Sequence, residues 1–289
     1  MQPLIEEVTT GPRSHPVAGL NQMKPFPAVA LRAFRLLGDD RTETRELVAA
    51  ISPDPIFVAN LLQCANSALI GATREVKTVQ HAMAVLGRNR LRGLILTAAL
   101  RSFKNTSSWT THCQNWWRHS VATALLAEGL ASATSTYWPA SYSAGLLHDI
   151  GRLALLLGLS KERAMAYEAA VVRSADPVVE IERRMFGESH CDAGASLLRQ
   201  WRFPEEFIRA AEHHHDAGGE CLVKTGCQLA AAMGLTVFCG RPVKTSSEVL
   251  ASFEPAIAAG LEEMPRSVVE ALYERIDSFE QLPPIGAKS

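Results

Sequence analysis

His148 and Asp149 stand side by side in a nearly unbroken apolar run from Ala144 to Leu159. A helix that is apolar all round is buried. A buried ionised carboxylate is costly unless it is paired or holds a metal, so Asp149 needs a partner. The candidates are His119, His190 and the run His213-His214-His215, all distant in sequence. Imidazole and carboxylate are the ligands that divalent metals favour, and a carboxylate beside a histidine can bridge two ions. Such an ion makes water nucleophilic near neutral pH, which suits attack on phosphorus. The expected cofactor is a divalent metal (Fe, Mn, Zn or Mg), with His119, His148, Asp149, His190, His214 and His215 as its ligand set. The blander alternative is a buried structural pair at His148-Asp149, a carbonyl-bonded core imidazole at His119, and a helix-start residue at His190.

Ligands so far apart in sequence must come from several helices facing one core, and proline and glycine cut the chain into pieces of that size. Pro27 opens a helix with Ala30, Ala33, Phe34 and Leu37 on one face. Asp40 and Glu43 have the spacing of a capping box before a short helix around Leu47, Val48 and Ile51. Val58, Leu61, Leu62, Ala65, Ala68 and Leu69 mark the next. Helices around Val79–Leu86 and Leu91–Phe103 are divided by Gly87. Beyond a polar boundary at Lys104 to Thr111, helices are expected over 114–131, 142–159, 161–174, 177–186, 190–201, 204–215 and 221–234. Two weaker ones are expected at 246–259 and 265–277. No alternating strand pattern competes, so the chain is expected to be all-α, a multi-helix bundle.

The 289 residues suffice for a real core, and 47% hydrophobic with 20% charged residues describes a globular chain. A net charge of −1 argues against a general nucleic-acid binder. One window is uneven: residues 76–127 hold no Asp or Glu, and Arg88, Arg90 and Arg92 form a candidate basic contact surface. A solvated helix face is the preferred reading of that cluster over a phosphate-contacting helix-turn-helix. The six cysteines lack a C-x-x-C pair, as reduced thiols of a cytosolic protein would. The first residues do not read as a signal peptide, and no apolar run is long enough for a bilayer. The expectation is a cytoplasmic protein without membrane contact.

Several pieces, in order, resemble one family. Trp117-Arg118-His119-Ser120, Leu146-Leu147-His148-Asp149-Ile150-Gly151, His190-Cys191-Asp192-Ala193-Gly194-Ala195 and the pair His214-His215 are similar to the HD superfamily of metal-dependent phosphohydrolases. Pro25-Phe26-Pro27-Ala28-Val29-Ala30, Ile51-Ser52-Pro53-Asp54-Pro55, Ala65-Asn66-Ser67-Ala68 and Ala82-Met83-Ala84-Val85-Leu86-Gly87 resemble its HDOD branch, an output domain of bacterial signalling proteins. The resemblance runs from about residue 20 to 235. It implies an N-terminal tail (1–19), an HDOD domain (20–240) and a C-terminal helical extension (241–289). The domain would pair a helical subdomain (20–105) with a degenerate HD-like one (106–240).

In HD phosphohydrolases a further aspartate on a later helix closes the metal site. Here Cys227, or its neighbour Gln228, falls where that aspartate is expected, and no Asp occurs between Asp216 and Asp277. The Gly-Tyr-Pro motif of the cyclic-di-GMP phosphodiesterases is also missing. Adjacent helical positions point about 100° apart, so one of the triple histidines must face solvent, and His213 is assigned that place. The resemblance implies a regulatory signal-transduction protein that works through protein partners, without catalysis, and with a retained metal pocket. The alternative is a metal-dependent phosphohydrolase of a nucleotide or cyclic dinucleotide. Cys191 and Cys227 could serve as soft ligands but are read as small buried hydrophobes. Asn66 is expected to support backbone in the N-terminal bundle through its amide, and Trp109, Trp116 and Trp117 to be packing residues.

Overall fold

The computed structural model describes residues 23, 25–67, 70, 75–105, 109–133, 138–216, 222–238 and 276. Among the described residues there are twelve α-helices, one 3-10 turn and no strand. The first half holds α1 (Ala28–Gly38), α2 (Thr44–Ile51), α3 (Pro55–Ala65) and α4 (Val79–Arg101), followed by the 3-10 turn Ser102–Asn105. Proline and short polar side chains set their starts. Pro27 precedes α1, Pro55 opens α3 where no backbone donor is needed, and the Asp54 carboxylate accepts the Phe57 N–H at 2.9 Å. Thr78 caps α4 by accepting the His81 N–H at 3.0 Å. Gly87 divides α4 with φ +71°, a left-handed value that glycine adopts without strain.

Asn66 takes its expected role. Its amide nitrogen donates to the Leu62 and Val76 carbonyls (2.9 and 2.8 Å), and its oxygen accepts the Val76 N–H at 2.7 Å. The capping box expected at Asp40–Glu43 does not form. Glu43 is itself the N-cap of α2 and makes no side-chain cap bond, while Asp40 points at Arg88. Ala68 and Leu69, expected to extend α3, lie outside the described residues.

The second half runs α5 (Thr111–Ala133), α6 (Ser141–Leu147), α7 (Ile150–Leu157), α8 (Lys161–Arg173), α9 (Val178–Phe186), α10 (His190–Gln200), α11 (Glu205–His213) and α12 (Leu222–Ala232). The central helix is α5, packed on α6 and α12, while α10 packs on α7 and α11. Trp116 and Trp117 on α5 are fully buried. The helices expected at 246–259 and 265–277 lie outside the described residues apart from Ile276, which is helical and buried.

One hydrophobic core runs through both halves. Phe34 of α1 packs against Phe203 and Phe207, with ring centroids 5.1 and 5.4 Å away. The Arg92 guanidinium covers the Phe34 ring at 4.1 Å. On α4, the Gly93 position lies against the Tyr142 ring of α6, and Thr97 Oγ1 lies 3.1 Å from the Tyr142 hydroxyl. No helix among the described residues is long and apolar enough to cross a membrane.

Candidate metal centre

The helix expected over 142–159 is two helices. It breaks at His148-Asp149, with Asp149 at φ −104°, ψ 17° as the N-cap of α7. The break turns both side chains toward α5, α10 and α11, and the Trp116 indole locks it by donating to the Asp149 carbonyl at 2.7 Å. Gly151 lets α7 approach α10 so closely that a Cβ there would lie 2.0 Å from the His190 carbonyl and 2.4 Å from Gly194 N. The start of α10 is fixed by a capping box between Ser189 and Asp192. His190 is thereby held beside Asp149.

All six expected ligands meet at this junction, and five are enclosed: His148, Asp149 and His190 are 0% exposed, His214 2% and His119 3%. Each enclosed histidine gives its Nδ1 to a fixed acceptor. His119 donates to the Leu235 carbonyl (2.8 Å), His148 to Gly145 (2.6 Å) and His214 to Ala211 (2.9 Å), while His190 donates to the Glu182 carboxylate (2.5 Å). A carbonyl cannot donate, so in each neutral ring the proton belongs on Nδ1 and Nε2 carries a lone pair.

Those lone pairs face one another. His190 Nε2 is 3.3 Å from His214 Nε2, and Asp149 Oδ1 lies 3.1 and 3.4 Å from the same two atoms. His148 Nε2 and Asp149 Oδ1 are buried without a hydrogen-bond partner. Acceptors gathered in excess of donors repel unless a cation or proton lies among them. The donor set therefore fits a divalent cation, with outer partners that orient each imidazole as metal sites require. Three overlapping groups have ligand atoms within 4.8 Å of one another: His148-Asp149-His214, His119-His148-Cys227, and His190-Cys191-His214-His215. His215 is exposed at the rim, its ring centroid 4.3 Å from that of His214. His213 faces solvent as expected and bonds Asp216 at 2.8 Å.

Three further residues shape the electrostatics. The Arg152 guanidinium donates to Asp149 Oδ2 at 2.7 Å and lies 3.6 Å from Glu182 Oε1. Its Nη2 is 3.1 Å from both ring nitrogens of His190, too symmetric for one directed bond. Tyr167 donates to Glu182. Burial alone would raise the Asp149 carboxyl, but the adjacent Arg152 guanidinium outweighs it and holds the group well below the usual carboxylate range. Glu182 is lowered in the same contest, by His190 and Arg152 against burial. Burial pushes His119 and His148 down, and burial with Arg152 does the same to His190, keeping the rings neutral. Two carboxylates against one guanidinium, with His119, His148 and His190 neutral, favour a cation in the pocket.

Arg152 follows Asp149 by three residues inside the apolar run, and that charge among leucines was the available signal. Glu182 and Tyr167 carried none, since each reads as an ordinary position on an amphipathic helix.

Cys227 Sγ reaches the pocket, 3.5 Å from His119 Nε2, and burial pushes its thiol up to about 12. Cys191 Sγ lies 3.5 Å from His190 Nε2. The three arginines are not gathered into a surface. Arg88 donates to the carbonyls of Leu36, Asp39 and Thr42, closing the end of α1. Arg92 lies between Phe34 and Phe207, while Arg90 is exposed, 4.0 Å from Glu128.

Fold and site together define a class: an all-helical bundle whose core is built round a buried histidine–aspartate cluster. The chain belongs to the HDOD family, whose domain model matches residues 23–217. An HDOD domain protein from Geobacter sulfurreducens is 23% identical with a TM-score of 0.70, covering 88% of this chain and 92% of that one. A candidate phosphohydrolase from Shewanella amazonensis is 19% identical with a TM-score of 0.68, covering 93% and 99%. A Treponema pallidum protein is 26% identical over 200 residues, 68% of this chain and 38% of the relative. The chain thus spans about two fifths of the length of the curated relative it matches.

Proposed function

We propose that this HDOD protein is a regulatory, signal-transducing protein that acts through contacts with partner proteins, without turnover, and that it holds a divalent metal among His119, His148, Asp149, His190, His214 and His215. The observation that carries the reading is the enclosure of Asp149. It is fully buried, and its Oδ2 is taken by Arg152 at 2.7 Å. Asp149 presents no exposed surface to a phosphoester, and the α7 and α10 backbones are in direct contact beside it at Gly151. A cation bound here would tie α5, α10, α11 and the α6–α7 junction together, stabilising the bundle as one rigid surface for a partner.

The convergent Nε2 atoms favour a second reading, a metal-dependent phosphohydrolase of a nucleotide or cyclic dinucleotide. In that case the metal supplies charge neutralisation and a nucleophile derived from water. His119, His148, Asp149, His190, His214 and His215 would hold it, and Arg152 would be released to face an anion. The discriminating experiment is a panel of nucleotide and cyclic-dinucleotide phosphoesters with Mn²⁺, Fe²⁺ or Mg²⁺, run beside the double variant His148→Ala/Asp149→Ala. The expected result is no turnover above that variant. Reproducible metal-dependent turnover lost in the variant would replace the scaffold reading with the enzyme.

A further inference from the structure

The part of the pocket nearest α12 differs in chemistry from the rest. There the donors are two imidazole nitrogens and a sulfur: His119 Nε2 from α5, His148 Nε2 from the α6–α7 junction and Cys227 Sγ from α12, all within 4.8 Å of one another. We infer that Cys227 binds the pocket's metal as a thiolate, together with His119 and His148, so that the site takes a borderline or soft divalent ion such as Zn²⁺ in preference to Mg²⁺ or Mn²⁺. This inference rests on the metal-holding pocket proposed above and specifies what that pocket selects.

Three observations carry it. His148 Nε2 is fully buried and has no hydrogen-bond partner, with its Nδ1 held by the Gly145 carbonyl. It can only be waiting for a donor or a cation. Next, the Cys227 Sγ to His119 Nε2 separation of 3.5 Å is close to a nitrogen–sulfur edge of a tetrahedral site. Bonds of about 2.1 and 2.3 Å give an edge of roughly 3.6 Å. Finally, the sulfur's place is set by backbone packing. A Cβ at Gly226 would meet the Thr123 carbonyl at 3.0 Å and Ala127 N at 3.2 Å, so α12 lies directly on α5 and delivers the next residue to His119.

A hard, oxygen-seeking ion such as Mg²⁺ gains little from two imidazoles and a thiolate, whereas Zn²⁺ and Co²⁺ bind that set well. Asp149 Oδ2, 3.9 Å from His119 Nε2, is the carboxylate nearest to this end. The thiolate supplies the negative charge that no aspartate of α12 provides. On coordination the Sγ–H bond is replaced by an Sγ–metal bond, and the proton leaves to bulk water.

The test uses the full chain stripped of metal and titrated with Co²⁺, which gives a near-ultraviolet charge-transfer band when a thiolate binds it. The wild type should show a saturable band that Cys227→Ala and Cys227→Ser lose and Cys191→Ala keeps. Cys227→Asp should still bind Co²⁺, without the band. Competing Zn²⁺ should abolish the wild-type band and Mg²⁺ should not. Zn²⁺ affinity should fall more than about 100-fold in Cys227→Ala, beyond the 10–100-fold that loss of an outer partner costs. Far-ultraviolet circular dichroism checks the fold of each variant, and Cys227→Ser stands in if alanine unfolds. Co²⁺ binding without the band, or a band that survives in Cys227→Ser, would overturn the inference and leave the pocket reading standing. Absence of any Co²⁺ or Zn²⁺ binding would overturn both.

Discussion

Replacing Gly151 with alanine tests whether the approach of α7 to α10 builds the site. An added Cβ would lie 2.0 Å from the His190 carbonyl oxygen and 2.4 Å from Gly194 N, where ordinary contact begins near 3.4 Å. Both obstacles are main-chain atoms, so no side chain can swing away. The helices must part by roughly 1.4 Å, the shortfall from ordinary contact. Overpacking of this kind costs about 1–3 kcal/mol, and a backbone clash belongs at the top of that range. Exchanging glycine for alanine within a helix returns at most about 1 kcal/mol. The net loss is therefore about 2 kcal/mol.

With a urea slope of about 3 kcal/mol/M, that loss lowers the unfolding midpoint by roughly 0.7 M. Gly194→Ala is the graded comparison: its Cβ would lie 3.2 Å from Gly151 N, a much smaller main-chain shortfall, so it should cost clearly less than Gly151→Ala. The same separation would pull His190 from Asp149, now 3.1 Å apart, so Gly151→Ala should also weaken metal binding. A Gly151→Ala protein within about 0.5 kcal/mol of wild type, the usual effect of a harmless substitution, would refute the packing argument.

Three further outcomes are expected. Arg152→Met leaves Asp149 and Glu182 without their cation, which should cost the metal-free protein about 3–5 kcal/mol. Saturating Zn²⁺ should recover part of it in urea melts, and a variant as stable as wild type would contradict the charge balance. His119, His148 and His190 are held below the ordinary 6.5, burial being the largest cause. The unfolded chain therefore takes up protons first as pH falls, and metal-free stability should drop below pH 6.5 by up to about 4 kcal/mol per pH unit for three imidazoles. The lowered Asp149 and Glu182 hold their contribution above the unfolded carboxylate value and lose it at lower pH still. Urea melts from pH 7 to 5 read this slope, which His148→Gln should reduce by about one proton. Asn66→Ala removes three part-exposed bonds to the Leu62 and Val76 backbone and should cost about 1–2 kcal/mol, seen as faster amide exchange at Val76.

The helices were legible in the sequence wherever a local rule applied. Pro27, Pro55 and Gly87 act through backbone geometry alone, and the boundaries they mark recur in the structure. The candidate ligands were legible because polar side chains in apolar helices need partners. The break at His148-Asp149 was hidden, because it depends on the Trp116 indole thirty-three residues away and on nothing in the run itself. Glu182 escaped for a related reason. A charge on an amphipathic α9 reads as solvent-facing until the fold lays that face against His190. Arg88 and Arg92 looked like surface charge because sequence does not reveal that carbonyls at the end of α1 and two phenylalanine rings lie within reach.

The central claim is that the buried histidine–aspartate cluster holds a metal. It is tested most directly by elemental analysis, by plasma mass spectrometry, of untagged protein purified without chelator, beside His148→Ala/Asp149→Ala. The expected result is near-stoichiometric divalent metal in the wild type, lost in a variant that keeps its helical circular dichroism. Wild-type protein without stoichiometric metal, even after reconstitution with Zn²⁺, Fe²⁺ and Mn²⁺, would contradict the account and leave His148 and Asp149 as a structural pair balanced by Arg152.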